Sequence, residues 1–207
     1  YLIPSVSATL VTSVYILADT MMIGKGVGAV GIAALNLMLP IFSVYIGTGI
    51  LFGVGGSVLF SVSKGRGEDR KAREYFTVSV SLAALTSALY MWLFTRFFDP
   101  ITLMLGRNPG TEGYVREYGR FLQMTPAIFL FSSFLQAFVR NDGDPKRAMA
   151  GVITGGVTNV FLDYLFIFRF QWGMAGAAFA TVLGYGLTTA ILCTHFLSRA
   201  NTLALVK

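Results

Sequence analysis

The sequence holds one cysteine, Cys193, and one histidine, His195, in 207 residues. A single cysteine excludes an internal disulfide and any multi-cysteine metal site within one chain, so the redox compartment cannot be read from it. Charge is scarce as well: 13% of the residues are Asp, Glu, Lys or Arg, against about 25% in soluble domains. Hydrophobic residues make up 55%, and the two figures together exclude an ordinary soluble domain and indicate a membrane protein. The formal net charge of +6 would suggest nucleic acid in a soluble protein. Here the charges fall in short breaks between apolar runs, which membrane topology explains without a nucleic-acid partner. No cleavable signal-peptide pattern is visible, and the chain opens at Tyr1 without a Met, so we expect the native N-terminus to lie upstream.

What is abundant is apolar sequence in long runs. A helix needs about 20 mostly apolar residues to cross roughly 30 Å of hydrocarbon, and six stretches qualify: approximately 2–23, 31–63, 75–98, 118–139, 148–168 and 174–197. The expected fold is therefore an all-α polytopic membrane protein, a bundle of six transmembrane helices. The second stretch exceeds what a bilayer requires, so it should tilt or kink at Pro40 and pack along a glycine face, with Gly49 and Gly53 as a small-xxx-small pair. Six spans put both ends on one side. With the ends inside, the inner connections and tail carry Lys64, Arg66, Arg70, Lys71, Arg73, Arg140, Lys146, Arg147, Arg199 and Lys207. The other side carries Lys25, Arg96, Arg107, Arg116, Arg120 and Arg169. The excess places both ends in the cytoplasm, in the cell inner (plasma) membrane.

Of the ten acids, only Asp19 and Asp163 fall inside the predicted spans. A carboxylate at the bilayer centre costs about 2.5 to 3.5 kcal/mol on insertion scales, so their presence points to use. Asn159 and Asp163 are one helical turn apart and share a face, as do Tyr15 and Asp19. At 1.5 Å per residue both acids lie roughly 6 to 8 Å below the outer boundary, and Thr181 lies at roughly 10 to 12 Å. Two carboxylates in one low-dielectric layer are costly to ionise together, so the pair suits uptake and release of a proton. With the amide oxygen of Asn159 and the hydroxyl of Thr181, the same layer offers hard oxygen ligands for Na+. The plainer alternatives are that Asn159 and Thr181 are interhelical glue, that Tyr15 is a packing aromatic, and that His195 snorkels to the inner interface.

Four stretches carry a resemblance. They are Val14 to Gly24, Arg140 to Pro145, Asn159 to Tyr164, and Gly173 to Thr181. Together they resemble the multidrug and toxic compound extrusion (MATE) family, in its bacterial and archaeal DNA-damage-inducible-like branch. The resemblance implies an N-terminal six-helix lobe of a twelve-helix, pseudo-symmetric transporter that rocks about a central cleft. It assigns binding of the coupling ion, H+ or Na+, to Asp19, Asn159, Asp163 and Thr181, with Tyr15 as a neighbour. Where some members carry Gln two turns before the first Asp, this chain has Thr12. The implied activity is cation-coupled antiport that exports amphipathic, often cationic, drugs by alternating access. No cofactor and no enzymatic step are implied. The implied partners are membrane lipid and a second six-helix half, in the same longer chain or as a second copy. Two alternative readings differ in the residues they require. A lipid-linked saccharide flippase of the same superfamily would line its cavity with basic residues. An intramembrane aspartyl protease would carry Gly-x-Gly-Asp, which surrounds neither Asp19 nor Asp163.

Overall fold

A computed structural model describes the backbone of residues 2–206 and the side chains of residues 14–206. The side chain of Thr12 lies outside the described residues. Among those described there is no strand. The helices are α1 (Leu2–Gly26), α2 (Ala29–Gly65), α3 (Asp69–Arg96), α4 (Phe98–Met104), α5 (Glu112–Met124), α6 (Pro126–Asn141), α7 (Pro145–Asp163) and α8 (Gly173–Cys193). A π-helical turn, Tyr164–Arg169, continues α7, and a 3-10 turn, Thr194–Leu197, follows α8. Among the described residues, α2, α3, α7 with its π-helical end and α8 with its 3-10 end are each long and apolar enough to cross a membrane, and the α5–α6 pair passes as one bent span.

The local sequence accounts for the breaks. Pro126 starts α6 at a position where a missing N–H is harmless, and it forces Thr125 out of helical conformation, to φ −125° and ψ 25°. The two helices bend by 58° there. Pro126 cannot donate to the Leu122 carbonyl one turn earlier, and the buried Tyr45 hydroxyl donates to it instead at 3.4 Å. Pro40, by contrast, leaves α2 helical throughout its 37 residues.

Packing runs through small residues. A Cβ on Gly53 would meet the Phe134 backbone at 2.9 Å, and one on Gly56 would meet the Phe138 ring at 2.9 Å, so the glycine face of α2 lies directly on α6. Aromatic side chains fill the two ends of the bundle. At the Asp163 end Tyr45, Phe94, Phe98 and Phe129 pack together. At the opposite end Phe60, Phe76, Phe134 and Phe138 do so, with the Phe134 and Phe138 rings 4.8 Å apart. Large apolar side chains face outward, among them Leu17, Leu51, Leu85 and Trp92. That surface suits lipid rather than water.

The end opposite Asp163 departs from the snorkelling expected of His195. The histidine is fully buried. Its Nε2 donates to Asp142 at 2.8 Å, and its Nδ1 lies 3.3 Å from Asp144. Asp142 also accepts from Lys64 at 3.2 Å and from the Thr202 backbone N–H at 2.8 Å, and it bonds the Thr202 hydroxyl. Burial works against the Asp142 charge, but the bonds from Thr202, His195 and Lys64 outweigh it and hold the carboxyl below the usual aspartate range. The tail is ordered by the same cluster: Leu203 is buried in the aromatic end, and the Val206 N–H donates to Thr77 at 2.9 Å.

Candidate functional site

The site is built on α1, α7 and α8. Helices α7 and α8 bring their backbones together at two glycines: a Cβ on Gly155 would stand 2.6 Å from the Gly184 carbonyl, and one on Gly184 would stand 2.9 Å from the Gly155 carbonyl. Thr188 seals this seam by sharing its hydroxyl between the Gly151 and Gly184 carbonyls, at 3.1 and 3.0 Å. The close approach brings Asn159 onto the wall of α8, because the Gly184 Cβ position lies 2.9 Å from Asn159 Cβ.

A cavity of about 740 Å³ opens between α1, α2, α5, α6, α7 and α8. Tyr15, Asp19, Asn159 and Thr181 line it. Asp163 does not. It is fully buried, close to Asp19, and sits at the junction where α7 gives way to the π-helical turn. The two acids are thus arranged in series, Asp19 facing the cavity and Asp163 enclosed behind it. Both carboxylate oxygens of Asp163, Oδ1 of Asp19 and the Asn159 amide nitrogen are buried without a hydrogen-bond partner among the described residues. Native proteins rarely leave such groups unmet, and an unpaired buried carboxylate costs more than any neutral polar group.

Sequence reasoning missed two members of the site. Tyr185 of α8 shares a 2.7 Å hydrogen bond with the Tyr15 hydroxyl, and Tyr118 of α5, 4% exposed, sits beside Thr181 within electrostatic range of both acids. Tyr185 stands one turn beyond Thr181 on α8, the spacing that joins Tyr15 to Asp19, and that signal could have found it; Tyr118 has no such partner on its own helix. Thr181 turns its hydroxyl proton to its own helix, donating to Ala177 O at 3.0 Å, which leaves its oxygen lone pairs toward the cavity. The oxygens of Asp19, Asn159, Asp163 and Thr181 make a donor set for a proton or a small hard cation, and no donor for a soft metal is among them.

An apolar helical bundle that keeps two carboxyls, Asp19 and Asp163, among its packed helices defines a helical membrane protein. The chain belongs to the MatE family, whose model matches residues 4–165. It is 25% identical over 203 residues to the multidrug export protein MepA of Staphylococcus saprophyticus, covering 98% of this chain and 45% of that protein. Its fold matches a structure described as MATE in the bent conformation, with TM-score 0.89 and 26% identity over 99% of this chain and 46% of the other. It also matches an outward-facing multidrug resistance MATE family transporter of the MOP superfamily, with TM-score 0.90 and 25% identity over 99% of this chain and 45% of the other. The chain therefore spans about half the length of these relatives.

Proposed function

We propose that this chain is one six-span lobe of a cation-coupled antiporter that exports amphipathic organic compounds, completed by a second lobe, with both ends of the segment on the cytoplasmic side of the cell membrane. The observation that carries the proposal is the pair Asp19 and Asp163, two carboxyls in series with three buried oxygens unpartnered. A fully enclosed carboxylate cannot stay ionised without a counter-charge, so Asp163 holds a proton or shares a cation with Asp19, Asn159 and Thr181. Release of that ion leaves two charges facing each other in a dry layer, and the packing must change to separate or hydrate them. Ion occupancy thereby biases the shape of the cavity that Asp19 lines, and the compound held there is bound in one packing and released in the other. The multidrug export function printed for the relatives supports the cargo class.

The test is export by the full-length transporter in proteoliposomes under imposed proton or sodium gradients. Asp19→Asn and Asp163→Asn should each abolish gradient-driven export of an organic cation while leaving folded protein in the membrane. Which gradient drives the wild type identifies the ion. Undiminished export by both variants would overturn the assignment.

A further inference from the structure

The cavity has a second polar wall that the ion chemistry does not use. On α6, Ser133, Gln136 and Arg140 stand at i, i+3 and i+7 and line the cavity together, as one face of a helix requires. Arg140 is half-buried. The acids and the amide that follow it are committed: Asn141 donates to Ser57 at 2.6 Å, Asp142 is held by Lys64, His195 and Thr202, and Asp144 caps α7 and pairs with Arg147 at 2.9 Å. Arg140 has no hydrogen-bond or ion-pair partner among the described residues, and residues 1–13 contain no acid that could supply an ion pair. Asp142, two positions on, points away from it, as i and i+2 do on a helix. Gln136 is likewise without a partner among the described residues.

We propose that Arg140, with Gln136 beside it, forms a subsite for an anionic oxygen group, a carboxylate or a phosphate, on an amphipathic ligand in this cavity. A guanidinium offers a planar fork of donors that matches such a group with two parallel bonds. Arg140 stands about 20 Å along the helices from Asn159, fourteen residues into α7. The basic and acidic ends of the cavity are therefore well separated, and the anion is not drawn into the ion site. The inference rests on the cavity being the compartment that holds the ligand.

The subsite is tested by equilibrium binding of pyrenebutyrate and of its uncharged analogue pyrenebutanol to the full-length transporter in phosphatidylcholine nanodiscs. Arg140→Gln should weaken pyrenebutyrate binding by about tenfold or more and leave pyrenebutanol unchanged, and Arg140→Lys, which keeps the charge without the fork, should fall between. Adding phosphatidylglycerol identifies the source: competition with pyrenebutyrate in the wild type but not in Arg140→Gln shows a lipid headgroup as the occupant, and no competition shows the ligand's own anion. Wild-type affinity of Arg140→Gln for both probes in both lipids would overturn the subsite. If Arg140→Gln loses only the carboxylate probe while Asp163→Asn exports normally, the coupling assignment fails and the subsite stands.

Discussion

The hydroxyls of Tyr15 on α1 and Tyr185 on α8 are 2.7 Å apart, a direct polar bond between the helix that carries Asp19 and the helix that carries Thr181. The bond is half-buried at the cavity wall, where water competes less than at a free surface.

One shared bond implies equal and non-additive losses. Tyr15→Phe and Tyr185→Phe should each lower the stability of the full-length transporter by about 0.5 to 1.5 kcal/mol, and the double variant should lose little more than either single one. Thermal unfolding in detergent measures this. Fully additive losses would show that the two hydroxyls do not meet.

The seam between α7 and α8 predicts a contrast between two glycines. Gly155→Ala places a Cβ against the Gly184 backbone carbonyl, which cannot move aside like a side chain, so the loss should be about 1 to 3 kcal/mol. Gly186→Ala, on the same helix as Gly184 but with nothing within 4 Å of its Cβ position, should be neutral or stabilising by up to about 1 kcal/mol. Equal melting temperatures for the two variants would contradict the packing described.

Asp142 predicts an acid limb. Its carboxyl is held below the usual range by Thr202, His195 and Lys64 despite burial, so the unfolded chain takes up the proton first as pH falls. The stabilisation is complete above about pH 4, the ordinary aspartate value, and is lost as pH drops through the lower folded value. Asp142→Asn should be less stable than wild type at neutral pH, and the difference should shrink as the pH is lowered below about 4. A difference that does not change over that range would mean that Asp142 contributes nothing through its charge.

The sequence made some of this legible and not the rest, for physical reasons. Asp19 and Asp163 stand out because a carboxyl in an apolar run has few benign explanations, and helical spacing alone puts Tyr15 and Asn159 beside them. The MATE resemblance drawn from four short stretches agrees with the family match. Depth counted along straight helices could not show that Asp163 is closed off from the cavity while Asp19 lines it, because that depends on how α1 crosses α7. Lys64, Asp142, His195 and Thr202 are up to 138 positions apart, and no periodicity links them. Pro126 was visible inside a span, but a proline marks a break without fixing its angle, here 58°. Nothing in Tyr164 to Arg169 distinguishes a π-helical turn from an α-helical one.

The seam through Gly155 and Gly184 also bears on the mechanics of the lobe. Two helices touching backbone to backbone cannot slide or rotate without collision, so α7 and α8 act as a single stiff beam carrying Asn159, Asp163 and Thr181 at fixed spacing. Helix α1 meets that beam at the cavity wall through the Tyr15–Tyr185 bond, with Asp19 one turn along from it. Any relative motion in this bundle therefore carries those three side chains together rather than apart.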